Sequence, residues 1–136
     1  MLGPSKRKHN KAHKGRVANM ATSGTTLAFG DYGLKILDSE RIKSRQIEAA
    51  RVAAVRFMKR QGAFWIRIFP DISVSKKPAE VRMGKGKGGH EYFVFRASKG
   101  KIFCEVAGVP KDVAREALRL ASFKLPVRTK FVERYE

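Results

Sequence analysis

The sequence lacks the residues that would cross-link a fold or anchor it in a membrane. Its single cysteine, Cys104, cannot form an internal disulfide, and there is no Cys-x-x-Cys pair or Cys/His cluster with zinc spacing. The longest stretch without Lys, Arg, Asp or Glu, Val17 to Gly30, has 14 residues interrupted by Asn, Ser, Thr and Gly, which is too short and too polar for a membrane span. These absences argue against a secreted disulfide scaffold, a zinc-stabilised module and a membrane protein, and they favour a soluble protein of a reducing compartment.

Acidic residues are also scarce. The 136 residues include 12 Asp and Glu against 30 Lys and Arg, so the formal net charge is +18 and the pI is near 10.6. Solubility alone does not require so much charge of one sign, and we therefore expect a polyanionic partner. The hydrophobic content of 43% is enough for the core of one modest domain.

Residues 1–24 are predicted to be a basic N-terminal arm, and residues 25–136 a single globular domain. The first 30 residues include six basic and no acidic residues, and the arm shows no hydrophobic period that would let it fold alone. Mitochondrial transit peptides share this bias, but two glycines and a proline would interrupt the amphipathic helix they need, which favours a mature arm. His9 and His13 have no carboxylate or cysteine nearby to complete a metal site, so we interpret them as hydrogen-bonding and stacking groups for nucleic acid.

Hydrophobic patterning predicts strands and two helices in mixed order. The predicted strands lie at Thr25–Leu37 (one or two strands with a bend), Phe64–Phe69, Glu91–Arg96, Lys101–Val106 and Val127–Val132. The third and fourth of these flank a four-residue connection typical of an antiparallel hairpin, whereas Asp71–Gly89 has the composition of a loop. We therefore expect a compact α+β domain with a mostly antiparallel sheet and two amphipathic helices packed on it.

The first helix is predicted from Ser44, as its N-cap, to Gly62, as its C-cap. At about 100° per residue, one side of this helix is apolar and comprises Ile47, Ala50, Ala53, Ala54, Phe57 and Met58. The other side carries Arg45, Arg56, Lys59 and Arg60 within an arc of roughly 100°. Only Glu48 is available to pair with these basic residues, and like charges at i and i+4 repel. An anion-binding face is thus favoured over a merely solvated one.

The second helix begins at Pro110, a residue favoured in a first turn, and ends before Pro126. Its expected buried residues are Val113, Ala114, Ala117, Leu118, Leu120 and Ala121, with Arg115 and Arg119 on the exposed side. Asp112 and Glu116 lie four residues apart beside these arginines, which favours surface ion pairs over an acid/base pair. Because Cys104 lies in an apolar strand and no Ser/His/Asp or Cys/His arrangement is present, no catalytic residue is predicted.

A glycine- and lysine-rich loop at about residues 76–89 is the most distinctive local feature. Its glycines would let the backbone approach another surface closely, and Arg82, Lys85 and Lys87 could contact phosphates. A dinucleotide-binding G-x-G-x-x-G loop needs a strand before it and a helix after it, whereas a strand is predicted after this one. A flexible hairpin tip with incidental lysines remains the alternative to an RNA-contacting loop.

Two aromatic residues are candidates for stacking on nucleic-acid bases. Phe29 and Tyr32 lie among glycines, outside a clear core pattern. Trp65 and the other phenylalanines mostly follow strand or helix periods, so we expect them to pack in the core.

Many short motifs occur in one register along the chain. They are Met1-Leu-x-Pro4 with Lys6-Arg7, His13–Arg16, Phe29–Lys35, Arg45–Arg51, Lys59–Gly62, Trp65–Asp71, Lys77-Pro78, Val81–Gly88 and Lys124–Pro126. With these motifs the chain, from Met1 to about Arg134, resembles the bacterial-type large-subunit ribosomal protein sixteen family. Departures lie mainly in the arm, at Ser5, His9 and Asn10. The region toward the C-terminus resembles alphaproteobacterial or mitochondrial members.

The resemblance implies an α/β sandwich and a structural role in the large ribosomal subunit, which the protein joins late in assembly. It implies binding to large-subunit ribosomal RNA near the aminoacyl and peptidyl tRNA sites and the peptidyl-transferase centre. By position, the arm's role would fall to Lys11, His13, Lys14 and Arg16, and the loop's to Arg82, Met83, Gly84, Lys85, Gly86 and Lys87.

The sequence therefore predicts a non-enzymatic RNA-binding protein of a bacterial or mitochondrial ribosome. Its predicted RNA-binding residues are Lys6, Arg7, Lys8, Lys11, His13, Lys14 and Arg16 in the arm, Arg45, Arg51, Arg56, Lys59 and Arg60 in the first helix, and Arg82, Met83, Gly84, Lys85, Gly86 and Lys87 in the loop. Expected partners are ribosomal RNA, tRNA and neighbouring ribosomal proteins; no cofactor, metal, membrane or homo-oligomer is expected. A general nucleoid-type nucleic-acid-binding protein is the alternative.

Overall fold

The computed structural model describes residues 3–5, 11–12, 17, 20–76, 84, 87 and 89–134. Their elements, in chain order, are β1 (Tyr32–Ile36), β2 (Glu40–Lys43), α1 (Ser44–Phe57), β3 (Ala63–Ile66), β4 (Ile72–Lys76), β5 (Gly89–Ala97), β6 (Ile102–Ala107), α2 (Lys111–Ser122) and β7 (Thr129–Glu133). This arrangement confirms the predicted α+β class. None of the helices in this part of the chain is long and apolar enough to cross a membrane.

The strands form two antiparallel sheets instead of the one expected. The first has the order β3-β6-β1-β7 and the second the order β2-β5-β4. In the first sheet β1 pairs with both β6 and β7, with Leu34 opposite Cys104 on one side and Phe131 on the other. In the second, β5 is central and pairs with β2 and β4. The two helices pack against each other, α1 also against β2 and β5, and α2 against β1 and β7.

One apolar core joins these elements. Ile36, Ile47, Phe103 and Leu118 are each 0% exposed and come from β1, α1, β6 and α2. Alanines on the facing sides of the helices, including Ala50 and Ala117, are also fully buried, and their small side chains let the two helices approach closely. The apolar periods of both helices therefore identified the core-facing side, with three exceptions: Phe57 is 40% exposed, and Ala53 and Leu120 are only half-buried and lie outside the core cluster.

Both predicted ends of the first helix need correction. Ser44 is the first helical residue and is buried, while the N-cap is Lys43, whose backbone N–H donates to the Gln46 side-chain oxygen at 2.8 Å. The helix ends at Phe57, well before Gly62, because Lys59 and Arg60 adopt left-handed φ angles of 54° and 61°. Such angles are uncommon outside glycine, Asn and Asp, so the residue types at these positions do not indicate the turn.

The predicted hairpin between Glu91–Arg96 and Lys101–Val106 is wrong. These segments are strands β5 and β6, but they belong to different sheets. The predicted loop Asp71–Gly89 is also partly wrong, because it contains β4, which pairs with β5. Thr25–Leu37 contains one strand, β1, with an irregular register between Leu34 and Lys35.

Candidate nucleic-acid interface

A basic groove runs along α1 and the turn that follows it. We call it the α1 groove; it has a volume of about 420 Å³ and is lined by Arg51, Val52, Val55, Arg56, Lys59 and Arg60. The left-handed turn after the helix places Lys59 and Arg60 beside Arg56 although the helix ends before them. Four of the five RNA-binding residues predicted for the first helix therefore line one groove. The fifth, Arg45, is exposed but does not line it.

The charges of the α1 groove differ in how far they are neutralised. Arg51 pairs with Glu48 at 2.6 Å, and the hydrogen bond from Arg51 lowers the pKa of the Glu48 carboxyl. Arg56, Lys59 and Arg60 are exposed, and the ion pairs found among the described residues include none of them. Because adjacent like charges repel, an anion in the groove would relieve this repulsion and stabilise the turn.

The arm and the glycine loop meet at the few positions described in both. The Lys11 ammonium donates to the Lys87 carbonyl oxygen at 3.0 Å, and the Lys87 ammonium donates to the Ala12 carbonyl oxygen. Both lysines are exposed, and Gly84 has a φ of +100° with open space where a Cβ would lie. Ten predicted site residues lie outside the described residues: Lys6, Arg7, Lys8, His13, Lys14, Arg16, Arg82, Met83, Lys85 and Gly86.

A buried carboxylate below an exposed aromatic ring was not foreseen from the sequence. Glu105, in β6, is 0% exposed, and one of its oxygens accepts the backbone N–H groups of Ala28, Phe29 and Gly30 at 2.8–2.9 Å. Its other oxygen pairs with the Arg67 guanidinium. Burial raises the pKa of the Glu105 carboxyl, but the hydrogen bonds from Gly30, Arg67, Phe29 and Ala28 together outweigh burial and hold the pKa below its usual value. The only available signal was a glutamate inside an otherwise apolar strand.

The two residues singled out for stacking are in different environments. Phe29 is 59% exposed, and its ring stacks on Trp65 with centroids 6.0 Å apart. Tyr32 is half-buried and stacks on Phe131 with centroids 5.6 Å apart. Trp65 is half-buried beside this exposed ring, so the expectation that it packs in the core holds only in part.

Of the two expectations about titratable residues, the one for Cys104 agrees with the structure, and the one for ion pairs on α2 agrees in part, because the ion pairs of the described residues include Glu116 and Arg119 but not Asp112 or Arg115. Cys104 is fully buried, and burial raises the pKa of its thiol well above the usual value. The thiol therefore stays neutral, and Cys104 packs as a small apolar residue, as predicted. Glu116 pairs with Arg119, and the hydrogen bond from Arg119 lowers the pKa of the Glu116 carboxyl. The neighbouring Arg115 lies over the Phe131 ring, 4.9 Å from its centroid. Among the described residues no group of three or more His, Cys, Asp or Glu side chains could hold a metal ion.

The fold and the groove define the class of protein: a small α+β protein with a cluster of exposed cationic side chains on one helix and the turn after it. Comparison with known proteins identifies the family. The model of the family described as Ribosomal protein L16p/L10e matches residues 4–132, and the chain belongs to this family.

Curated relatives match over the whole of both chains. Proteins named large ribosomal subunit protein uL16 are 65% identical in Rickettsia peacockii (strain Rustic), 65% in Rickettsia felis and 63% in Rickettsia canadensis, each over 136 residues and 100% of both chains. The resemblance inferred from the motifs is thus confirmed. The chain is a ribosomal protein of the large subunit with a structural role, not an enzyme.

Proposed function

We propose that the chain binds large-subunit ribosomal RNA through its N-terminal arm, the α1 groove and the glycine loop, near the aminoacyl and peptidyl tRNA sites and the peptidyl-transferase centre. In this position it supports tRNA positioning and late subunit assembly. Residues 1–24 act as the arm and residues 25–136 as the domain that fixes it in place. Membership of a ribosomal family supports a ribosomal RNA partner, and the bacterial relatives support the cytoplasmic ribosome of a bacterium over a mitochondrial one.

The observation that carries this proposal is the α1 groove. Arg56, Lys59 and Arg60 line it together on the helix and the turn that follows; they are exposed and take no part in the ion pairs of the described residues. A groove lined by such cations suits the phosphate backbone of a nucleic acid, because most hydrogen bonds from proteins to nucleic acids go to the backbone. The hydrogen bonds between Lys11, Ala12 and Lys87 support a second contact region, because they join these residues of the arm and the loop.

The proposed contact residues are those predicted from the sequence, and they fall into two groups. Arg45, Arg51, Arg56, Lys59 and Arg60 lie on or next to α1, with Arg51 contributing less because Glu48 already pairs with it. The arm and loop residues are Lys6, Arg7, Lys8, Lys11, His13, Lys14, Arg16, Arg82, Met83, Gly84, Lys85, Gly86 and Lys87.

Matched pairs of arginines test the α1 groove. Replacing Arg56 and Arg60 by Gln should weaken binding to deproteinised large-subunit ribosomal RNA and reduce the slope of log K against log salt by about 1.4–1.8, since two phosphate contacts are removed. Arg115 and Arg119 have the same spacing on α2, and their replacement by Gln changes the net charge equally while leaving the groove intact. Equal effects of the two double variants would contradict the proposal, because net charge alone would then explain binding.

The alternative of a general nucleic-acid-binding protein is tested by competition and sedimentation. A ribosomal protein should prefer the folded ribosomal RNA to duplex DNA and should sediment with large subunits at moderate salt. Equal affinity for both nucleic acids, or a free protein in the gradient, would favour the alternative. Cross-linking to tRNA bound in the aminoacyl and peptidyl sites tests the tRNA contact separately.

A further inference from the structure

Phe29, Trp65 and Arg67 form an exposed aromatic cluster, which we call the Phe29 cluster. The ring planes of Phe29 and Trp65 are 28° apart, and the Arg67 guanidinium carbon lies 5.1 Å from the centroid of the Phe29 ring. Phe29 is 59% exposed, while the Arg67 side chain is 21% exposed. The cluster lies on the first sheet, because Trp65 belongs to β3 and faces Glu105 of β6 across the pairing.

The backbone that carries Phe29 is held from several sides. Three consecutive N–H groups, from Ala28 to Gly30, donate to one Glu105 oxygen. The Gly30 carbonyl oxygen accepts two hydrogen bonds from the Arg134 guanidinium, at 3.0 and 2.8 Å. Gly30 itself lies so close to β6 that a Cβ would come within 2.7 Å of the Val106 carbonyl oxygen. This segment is therefore a fixed support, although it is not a regular strand.

A fixed support under an exposed phenylalanine calls for an explanation. An exposed aromatic ring gains little from folding, whereas ordering the segment below it and burying a carboxylate both cost free energy. Fixing a side chain before binding lowers the entropy lost when a ligand binds to it. The arrangement therefore favours a preorganised contact site over an incompletely buried core residue.

The chemistry of the cluster matches an unpaired nucleobase. Bases splayed out of RNA stack on aromatic rings and on arginine planes, and Phe29 and Arg67 provide one of each. The Glu105 carboxylate is fully buried and paired with Arg67, so it presents no negative surface to a phosphate. The net charge of +18 further favours a nucleic acid over an apolar segment of a protein.

We propose that the Phe29 cluster is a stacking site for an unpaired base of large-subunit ribosomal RNA, and that Glu105 is the residue that positions it. This site is additional to the arm, the α1 groove and the glycine loop. The inference rests on the proposed binding of ribosomal RNA. Phosphate contacts determine the position of the protein on the RNA, whereas the stacked base contributes affinity at one fixed point.

Substitutions at Phe29 separate stacking from general hydrophobic contact. Phe29→Ala in the full chain should weaken binding to deproteinised large-subunit ribosomal RNA by about 5- to 150-fold, the range for loss of one stacked base. Phe29→Trp should bind like the original chain, and Phe29→Leu should be impaired although it stays apolar. Equal binding by Phe29→Leu would overturn the proposal, because an apolar contact without stacking would then explain the affinity.

Phe123 supplies a matched control. Its ring is 66% exposed and has the Arg119 guanidinium carbon 4.9 Å from its centroid. Phe123 follows α2, however, and Glu105 is the only buried carboxylate among the residues that the structure describes. Phe123→Ala should leave affinity for the RNA unchanged. A loss as large as that of Phe29→Ala would show that any exposed aromatic ring contributes, and it would overturn the proposal.

Trp65 gives a direct readout because it is the only tryptophan in the chain. Stacking of a base on the cluster should change its fluorescence when the RNA is added. Heparin, a polyanion without bases, should bind through charge and leave the Trp65 signal unchanged. The same spectral change with heparin would contradict a stacked base.

A double-mutant cycle tests the positioning role of Glu105. If Glu105 acts on RNA binding through Phe29, Glu105→Gln should weaken RNA binding in the original chain but have no further effect in the Phe29→Ala background. Independent, additive losses would assign Glu105 a purely structural role. If the unaltered chain does not bind the RNA, both this inference and the proposed function fail; if it binds and the Phe29 variants bind equally well, only this inference fails.

Discussion

Replacing Glu105 by glutamine removes one charge from a buried pair and changes little else in shape. The oxygen of the introduced amide can still accept the N–H groups of Ala28, Phe29 and Gly30, which the carboxylate accepts at 2.8–2.9 Å. The position next to Arg67 would be taken by an amide NH2 group, which can only donate. The Arg67 guanidinium would then lose both its counter-charge and its acceptor.

The expected loss of stability follows from the burial of the two partners. Removing one partner of a buried ion pair costs about 3–5 kcal/mol. Glu105 is 0% exposed but the Arg67 side chain is 21% exposed, so water can partly solvate the remaining charge. We therefore expect about 3 kcal/mol, at the low end of that range. At about 4 °C per kcal/mol for a chain of this size, the melting temperature should fall by about 12 °C.

The effect should depend on pH in a defined direction. The pKa of Glu105 in the folded chain lies below its usual value of 4.5, so its ionised form contributes stability above pH 4.5. This contribution is lost as the pH falls from there through the folded-state pKa. Glutamine does not titrate. The stability difference between the two proteins should thus be constant near neutral pH and shrink below pH 4.5.

Thermal unfolding followed by circular dichroism at several pH values measures this difference. Glu116→Gln is the matched control, since Glu116 also pairs with an arginine but on the surface of α2, where such pairs contribute little. Its melting temperature should be unchanged. Equal melting temperatures for Glu105→Gln and the unaltered chain, or a difference that grows below pH 4.5, would refute the account of Glu105 given above.

Two further predictions concern the turn after α1 and the buried thiol. Gly62→Ala should destabilise the fold by about 2 kcal/mol or more, because Gly62 has a φ of +73° and an added Cβ would clash with the Ala107 carbonyl oxygen. Gln61→Ala, at an exposed position, is the control. Similar melting temperatures for the two variants would contradict this reasoning. Cys104 should resist an aromatic disulfide reagent at neutral pH in the native chain and react after denaturation. The reason is that Cys104 is fully buried and burial raises the pKa of its thiol. Fast labelling of the native chain would contradict this prediction and would show that β6 opens readily.

The sequence predicted what local spacing determines. The apolar and basic sides of the helices follow from a period of 3.6 residues, so the core alanines and the exposed position of Arg56 could be predicted directly. Strand alternation shows which side chains share a face, but not which strand lies alongside. For this reason β5 and β6 were correctly predicted as strands and wrongly paired as a hairpin.

The features missed depend on contacts between distant parts of the chain. β4 is short and rich in serine, and its pairing with β5 makes it a strand. The partners of Glu105 lie 75–77 residues away at Ala28 to Gly30 and 38 residues away at Arg67. No pattern of neighbouring residues could have connected a glutamate in β6 with an exposed phenylalanine.

The position of β1 in the first sheet also bears on how the chain acquires its shape during synthesis. β1 is made first among the described strands, yet its two neighbours are β6 and β7, near the other end of the chain. The side chain that holds the Gly30 carbonyl oxygen, Arg134, follows β7. A nascent chain therefore carries β1 without either neighbour until β6 and β7 have been made. The backbone support of Phe29 is complete only once Arg134, after β7, can reach the Gly30 carbonyl oxygen.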